Sequence, residues 1–343
     1  MKRWNVLVTG GAGFLGSHLT NTLADRGHRV IVLDDLSGGF QENVDPRAEF
    51  VLGSITDEKL IKELFSHESF HYVFHLAAYA AEGLSHFIKK FNYENNLIGS
   101  VNLINAAVNH AVKCFIFTSS IAVYGKGQVP MTEDMIPQPE DPYGIAKLAV
   151  EQELRVSHEM FGLDYIIFRP HNVYGERQNI GDRYRNVVGI FMNQIMQGQP
   201  MTVFGDGEQT RAFTYVQDVI SVMADAPLTP SARNQVFNVG ADIPYTVNQL
   251  AGKVAEAMGV RANIKHLEAR NEVKHAFSSH ARVQEVFGCT AAVPLETGLE
   301  RMARWARSVG PRRSRLFEHV EILKNMPRSW QEEFSQAHGE VGS

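Results

Sequence analysis

The sequence is poor in cysteine, in runs of one charge and in long apolar stretches, and each shortage excludes a class of protein. Only two cysteines occur among 343 residues, so we expect neither a disulfide framework nor a metal site. The formal net charge is -5 without a long basic run, which argues against nucleic acid as a partner. No apolar run has membrane-spanning length. We therefore expect no membrane association, no signal peptide and a cytoplasmic location.

Apolar residues are plentiful enough to build a large core. Hydrophobic residues make up 44% of the chain, which excludes global disorder. Strand and helix patterns alternate as far as Arg169, which is typical of a Rossmann-type, doubly wound parallel sheet in an α/β protein. Beyond this point the pattern loosens and predicts a smaller C-terminal α/β substrate-binding domain.

These patterns suggest a division of the chain. We predict a first domain over residues 1–170, to which residues 213–243 return. A second, substrate-binding domain is predicted over residues 171–212 and 244–310. A charge-rich C-terminal tail, residues 311–343, has no clear role in a sheet.

A glycine cluster follows the first strand pattern, residues 6–9. Gly10, Gly13 and Gly16 are spaced three apart and a helical pattern follows at once. Glycines at such a turn permit the tight bend, let a pyrophosphate approach the backbone and let the helix pack close to the strand. The free amides at the start of the helix can then hold the phosphates. The stretch therefore predicts a dinucleotide site.

The second strand pattern ends in Asp34 and Asp35. Asp34 lies 18 positions after Gly16 (34 minus 16), where a carboxylate can accept both hydroxyls of an adenosine ribose. The same carboxylate repels a 2′-phosphate, so NAD is favoured over NADP. The alternative is an acidic residue in a solvated loop, and this alternative is stronger for Asp35.

The candidate catalytic residues follow the fifth strand pattern, which ends at Thr118 and leads to Ser120. Tyr143 and Lys147 are four apart and share one face of a helix that Pro142 begins. A tyrosine ordinarily titrates near ~10, and a neighbouring ammonium stabilises its phenolate. We expect Tyr143 to act as the base and Ser120 to hydrogen-bond the reacting oxygen.

His75 ends the fourth strand pattern, and its imidazole could serve as a metal ligand. No second ligand occurs at a useful spacing, so a packed histidine is the preferred interpretation. No metal is expected.

Taken together, these motifs resemble the extended short-chain dehydrogenase/reductase family, and within it the NAD-dependent nucleotide-sugar epimerases and dehydratases. The resemblance runs from about residue 5 to 310 and is strongest to UDP-glucose and UDP-glucuronate 4-epimerases. It implies an isomerase with NAD as cofactor and a UDP-sugar as substrate. It also implies a homodimer that pairs the helices predicted over residues 93–109 and 142–161.

The motifs and the resemblance assign residues to both ligands. Residues assigned to NAD are Tyr143 and Lys147 with Gly10, Gly13, Phe14, Leu15, Asp34, Asp35, Ser54, Ile55, Leu76, Ala77, Ala78, Asn96, Thr118 and Pro170. Residues assigned to the UDP-sugar are Ser120, Asn172, Asn186, Val187, Thr202, Phe204, Arg211 and Arg270. The planar fork of an arginine suits a diphosphate.

The resemblance implies a redox-neutral reaction. Tyr143 takes the proton of the sugar 4-hydroxyl while hydride passes to NAD; the 4-keto sugar turns, and hydride returns to its other face. Similar dehydratases and decarboxylases carry carboxylates just after the serine, where this chain has Ile121 and Ala122. Neither residue can move a proton, which favours epimerisation. The alternatives are another nucleotide-sugar enzyme, a reductase or dehydratase, and a catalytically inactive NAD-sensing regulator.

Two further features concern the width of the sugar pocket. Ala276 lies four residues past Glu272, where galactose-type pockets often carry a tyrosine. Arg183 and Arg185 could pair with an acidic sugar if their loop folds over the site. We therefore expect a sugar that is larger or more polar than glucose, such as an N-acetylated sugar or a uronic acid.

Overall fold

The computed structural model describes residues 3–270, 273–288, 292–314, 317–318 and 320–339. The strands are β1 Asn5–Thr9, β2 Arg29–Asp34, β3 Glu49–Leu52, β4 Tyr72–His75, β5 Cys114–Thr118, β6 Tyr165–Pro170, β7 Val173–Tyr174, β8 Met201–Phe204, β9 Thr210–Ala212, β10 Thr214–Tyr215, β11 Gln235–Val239, β12 Pro244–Thr246, β13 Ile264–Leu267 and β14 His275–Ala276. The helices are α1 Phe14–Asp25, α2 Glu58–His67, α3 Glu82–Ser85, α4 Lys89–Tyr93, α5 Gly99–Asn109, α6 Pro142–Phe161, α7 Val187–Met196, α8 Val216–Asp225, α9 Val247–Ala257, α10 Ala281–Phe287, α11 Leu295–Val309 and α12 Arg328–Gly339.

Seven strands of the described chain form one parallel sheet in the order β11-β6-β5-β4-β1-β2-β3. The chain runs outward from β1 to β2 and β3, and then returns to the other side of β1 with β4. Val8 is accordingly in register with Val32 on one side and with Phe74 on the other. Because the order reverses at this point, a crevice opens at the carboxyl ends of β1 and β4, where such sheets bind ligands. The predicted doubly wound sheet is confirmed.

The core lies on both faces of this sheet, because successive side chains of a strand point to opposite sides. Val6 and Val8 of β1 pack on the face covered by α1 and α8. Leu7 packs on the opposite face with Val73 and Phe115. Both faces are therefore apolar, and the strands read as nearly continuous hydrophobic runs.

The smaller C-terminal part contains three short sheets. β8 pairs with β13, β7 pairs with β10, and β9 lies between β12 and β14. Several of these strands have only two or three residues. Such short strands carry too little alternation to be recognised, which explains why the sequence pattern loosens after β6.

The helix predicted over residues 93–109 differs from the structure. The helical stretch begins at Lys89 as α4, passes through a π-helical turn over Glu94–Ile98, and continues as α5. Asn92 and Asn96 are buried on its inner face, and the Asn96 amide donates to the Asn92 side-chain oxygen at 2.7 Å. Asn92 and Asn96 are polar, so the sequence pattern does not predict that they are buried.

The charge-rich tail is more ordered than its composition suggested. It contains α12, and Met326, Trp330 and Phe334 are buried against Ala81 and Leu84. None of the helices in the described residues is both long and apolar enough to traverse a bilayer.

Candidate active site

A cleft with a volume of about 500 Å3 opens at the carboxyl ends of β1, β2, β4 and β5. Within the described chain, every residue assigned to NAD or to the UDP-sugar lines this cleft except Asn96. The structure therefore brings together residues that are as far apart in sequence as Gly10 and Arg270.

The glycine loop after β1 is packed so closely on the rest of the chain that two of its positions accept no side chain. Gly10 has a φ of +72°, and a Cβ there would lie 2.7 Å from the amide nitrogen of Ala77. A Cβ at Gly16 would collide with the carbonyl oxygen of Gly10. Gly13 precedes α1 and offers no side-chain cap, so the first amides of the helix point to the cleft. This geometry fits a pyrophosphate.

Asp34 ends β2 and ties the glycine loop to the strand. Its carboxylate accepts hydrogen bonds from the amides of Ala12 at 3.0 Å and Leu36 at 2.8 Å. Burial raises the pKa of Asp34, and these amides act in the opposite direction. Asp35 also lines the cleft, and its carboxylate accepts a bond from the Ser37 amide at 2.9 Å. Both carboxylates fit the ribose end of NAD.

Tyr143 is buried near the start of α6 and lines the cleft together with Ser120. Burial raises the pKa of the Tyr143 phenol, while the nearby Ser120 side chain lowers it. Asp141, the N-cap of α6, and Glu82 raise this pKa further through their negative charge.

Lys147 lies one turn further along α6 and is also buried. Its ammonium donates to the carbonyl oxygen of Thr118 at 2.8 Å and lies 5.7 Å from the centroid of the Tyr143 ring. Burial lowers the pKa of Lys147 to about 7. The predicted stabilisation of the Tyr143 phenolate by this ammonium stays a prediction. Among the protein's own groups, burial is the largest influence on the pKa of Tyr143 and raises it.

Asn96 acts behind the cleft rather than in it. Its side-chain oxygen accepts from the Tyr79 amide at 2.8 Å, and its amide donates to the Tyr79 carbonyl at 3.1 Å. Tyr79 itself lines the cleft.

His75 is packed inside the protein, since its ring nitrogens hydrogen-bond the hydroxyls of Thr9 at 2.7 Å and Ser100 at 2.8 Å.

The substrate side of the cleft contains the two assigned arginines. The Arg211 guanidinium donates to the carbonyls of Val273 and Lys274, on the segment that leads into β14. Arg270 lies over the Phe204 ring, with its guanidinium carbon 4.7 Å from the centroid. The rigid ring fixes one face of that guanidinium.

The features that bear on pocket width also lie here. Ala276 lines the cleft and is paired in register with Arg211, while Glu272 lies outside the described residues. Arg185 lines the cleft with its guanidinium carbon 4.8 Å from the centroid of the Tyr79 ring, whereas Arg183 is not among the described lining residues. Of these two arginines, Arg185 is therefore the one that lies in the cleft.

Sequence reasoning missed several residues of this site. Asp182 accepts a bond from the Arg185 guanidinium nitrogen Nε at 2.6 Å, so that cation enters the cleft already paired. Gly38 and Gly39 also line it, and a Cβ at Gly39 would press on the backbone of Ala12. The glycine pair, which begins three positions after Asp35, was the signal that could have revealed Gly38 and Gly39.

A buried ion pair supports the catalytic strand from behind. Arg169 donates to Glu151 through Nε at 2.9 Å, and both side chains are almost fully buried. Glu151 also accepts from the Ser119 hydroxyl, and Arg169 donates to the Tyr124 hydroxyl at 2.7 Å. The pair therefore fixes the residue next to Ser120. Its signal was a charge at the end of an apolar strand.

Known proteins of this architecture share the same core. A similar relative from Methanocaldococcus jannaschii, a putative UDP-glucose 4-epimerase, is 30% identical over 305 residues, 88% of this chain and 98% of the relative. The crystal structure of a Thermotoga maritima UDP-glucose 4-epimerase with UDP-glucose is 37% identical with a TM-score of 0.85, covering 89% of this chain and 99% of that one.

A third similar protein was solved with both kinds of ligand. It is a Bacillus cereus UDP-glucuronic acid 4-epimerase in complex with UDP-glucuronic acid and NAD, 28% identical with a TM-score of 0.81 over 89% of this chain and 99% of that one. The model of the NAD dependent epimerase/dehydratase family matches residues 6–240. The chain belongs to the NAD-dependent epimerase/dehydratase family.

Proposed function

We propose that the protein is an NAD-dependent 4-epimerase of a UDP-sugar that works through a transient 4-keto intermediate. The observation that carries the proposal is that Ser120, Tyr143 and Lys147 line the same cleft as a glycine loop that fits a dinucleotide. Bound NAD supplies a reversible hydride acceptor. The residues of the chain supply the proton transfer and the orientation of the sugar.

Tyr143 removes the proton of the sugar 4-hydroxyl and later returns it. Ser120 donates a hydrogen bond to the same oxygen and so orients it toward the phenol. Burial of Tyr143 excludes water from this transfer, and Lys147 provides a positive charge next to the ring.

The residues after Ser120 favour epimerisation over elimination or decarboxylation. Ile121 and Ala122 line the cleft, and neither side chain can transfer a proton. A second acid/base step would fall on Glu82, which lines the cleft and whose charge acts on Tyr143. An epimerase needs Tyr143 alone for its proton transfer. Turnover that survives the substitution Glu82→Gln therefore supports epimerisation, and loss of turnover supports a second acid/base step.

For the nucleotide part of the substrate, we assign Asn172, Asn186, Val187, Thr202, Phe204, Arg211 and Arg270, which all line the cleft and are here called its nucleotide half. Arg211 and Arg270 would hold the diphosphate through their planar forks. For NAD we assign the residues predicted from the sequence, with Asn96 acting through Tyr79.

The sugar is proposed to be larger or more polar than glucose. Ala276 places only a methyl group on the cleft wall, which leaves room beside the hexose. Arg185 adds a cation whose charge is partly offset by Asp182, a pair that suits polar substituents as well as a carboxylate. The catalytic efficiency kcat/KM for UDP-glucose, UDP-N-acetylglucosamine and UDP-glucuronate, measured with wild type and Ala276→Tyr, tests this. Turnover of UDP-glucose and UDP-galactose alone, unchanged in the variant, contradicts it.

The domain division and the homodimer are also proposals. β11 lies in the large sheet, and the Arg26 guanidinium of α1 bonds the Ala224 carbonyl of α8 at 2.7 Å, which supports the return of residues 213–243. The dimer is supported by exposed apolar side chains on the two long helical stretches, such as Ile98 at 52%, Met160 at 69% and Phe161 at 65%. A strictly monomeric species in light scattering at micromolar protein contradicts the dimer.

The decisive experiment is incubation of the purified protein with a panel of UDP-sugars, followed by chromatographic separation of the products. An epimerase interconverts two sugars and returns its bound cofactor to the starting oxidation state. A reductase consumes reduced cofactor in proportion to product, a dehydratase yields a keto-deoxy sugar, and an inactive regulator yields nothing.

A further inference from the structure

The described residues 311–314, 317–318 and 320–339 of the C-terminal tail are here called the strap, and they follow the part of the chain that carries the predicted resemblance. The similar proteins described above are covered over 98% or 99% of their own length but cover only 88% or 89% of this chain. Met326, Trp330 and Phe334 of the strap are buried, and they pack in one cluster with Ala81 and Leu84. The strap is therefore part of the folded structure.

The strap is attached to both parts of the molecule. At its start, Arg312 donates its amide to the Asn193 side-chain oxygen on α7 at 2.9 Å, and its carbonyl accepts from the Asn193 amide group at 2.9 Å. Further on, the Glu321 carboxylate accepts from the amides of Lys90 at 2.8 Å and Phe91 at 2.9 Å, at the start of α4. The strap therefore links the wall formed by α7 with the wall formed by α4.

Trp330 packs against the outer side of the nucleotide half of the cleft. Its ring centroid lies 5.3 Å from that of Tyr184 and 6.3 Å from that of Phe204, both at nearly perpendicular angles. Phe204 carries the Arg270 guanidinium, whose carbon is 4.7 Å from the ring centroid. Among described residues, Tyr184, Phe204 and Arg270 line the cleft and Trp330 does not. Trp330 thus supports the cleft wall from outside.

Phe317 repeats this arrangement at the other arginine. Its ring centroid lies 5.3 Å from that of Tyr79 and 4.9 Å from that of Phe91. Tyr79 carries the Arg185 guanidinium, whose carbon is 4.8 Å from the ring centroid. In both places an aromatic residue of the strap packs on a cleft aromatic, and the cleft aromatic carries an arginine.

We propose that the strap positions Arg270 and Arg185 for the anionic part of the nucleotide sugar, with Trp330 and Phe317 as its positioning residues. A guanidinium held over a supported ring keeps one direction, so less side-chain freedom is lost when it binds a diphosphate or a carboxylate. The identity of the ligand as a nucleoside diphosphate rests on the proposed function. The positioning itself rests on the packing of the strap.

The test compares UDP with uridine, which has no phosphate, by calorimetry on the full chain. For Trp330→Ala we expect the Kd of UDP to rise about tenfold, which corresponds to about 1.4 kcal/mol, and that of uridine to change less than about twofold. In turnover, KM for the UDP-sugar rises while kcat stays within about twofold of wild type. Trp330→Phe restores most of the affinity. Glu332→Ala, an exposed position on the same helix, leaves both ligands unaffected.

Equal weakening of UDP and uridine, or an unchanged Kd for UDP, overturns the proposal. If Trp330→Ala does not fold, Trp330→Leu is measured with the same ligand pair against the same criteria. The outcome is separable from that of the proposed function. If Trp330→Ala weakens UDP binding but the wild type epimerises no UDP-sugar, the proposed function is wrong and the role of the strap is supported. If the wild type is an active epimerase and Trp330→Ala binds UDP as tightly, the role of the strap is wrong and the proposed function is supported.

Discussion

The dinucleotide half of the cleft and its nucleotide half are built in different ways. The first is made largely of backbone, from a glycine loop and the ends of adjacent parallel strands, and Asp34 is bonded to the loop that precedes it. The second is made of side chains from distant segments, including Phe204 on β8, Arg211 on β9 and Arg270 after β13. Backbone sites leave a local signature in sequence, whereas side-chain sites depend on how segments meet.

The two halves also differ in what holds their key groups. In the first, steric limits at Gly10 and Gly16 leave the chain no room for a side chain. In the second, arginines lie on aromatic rings that are themselves packed against the strap. We therefore expect substitutions in the first half to abolish cofactor binding or chemistry, and those in the second to weaken substrate affinity.

The largest effect is expected for Tyr143→Phe. Because the phenol is the proposed base, kcat should fall by about 10²- to 10⁴-fold. The ring still fills its buried site, so the melting temperature and the amount of bound NAD should stay near wild type. UDP-sugar turnover, thermal unfolding and NAD content measured on one preparation check this. Activity within about tenfold of wild type, or about 1.4 kcal/mol in barrier, would refute the assignment.

Gly16→Ala should have the next largest effect. The added Cβ would collide with the Gly10 carbonyl, which lies in the tightest part of the glycine loop. Forcing a side chain into such a packed turn costs about 2–4 kcal/mol of stability. Chemical denaturation and NAD content are the measurements. A variant that keeps its NAD and its wild-type stability would contradict the backbone account of the first half.

Arg211→Ala tests the second half. We expect KM for the UDP-sugar to rise about tenfold, or about 1.4 kcal/mol, while kcat and bound NAD change little. Arg211→Lys should recover only part of this loss, because a lysine cannot bond two oxygens with a planar fork. Steady-state kinetics on the three proteins separate the two parameters. A fall in kcat alone would contradict the expectation that substitutions in the nucleotide half weaken substrate affinity and leave the chemistry unchanged.

Gly252→Ala is the matched control for Gly16→Ala and has the smallest expected effect. Gly252 lies on the exposed side of α9, and within the described structure a Cβ there meets nothing within 4 Å. Alanine should stabilise the helix by about 0.5–1 kcal/mol. Chemical denaturation should show a higher midpoint with unchanged NAD content. A destabilised variant would mean that replacing glycine with alanine lowers stability even at an open site. The result for Gly16→Ala would then not be specific to the glycine loop.

Particular elements explain which predictions succeeded. Helix 142–161 was predicted with the observed bounds, and the fourth strand pattern ends at His75 as observed, because apolar spacing and the proline at the start of α6 are strong local signals. The π turn at Glu94–Ile98 was missed, since its buried Asn96 looks like an exposed polar residue in the sequence. The two-residue strand β14 was also too short to carry a period.

The sequence by itself determined the sheet, the glycine loop, the acidic end of β2 and the Ser120, Tyr143 and Lys147 set, because each depends on spacing within a short stretch of chain. Only the tertiary structure decided that Arg185 enters the cleft already paired with Asp182 and that burial raises the pKa of Tyr143. It alone decided that the tail supports the cleft wall through Trp330. These properties arise from contacts between segments far apart in the chain and from exclusion of water, and neither leaves a periodic trace in the sequence.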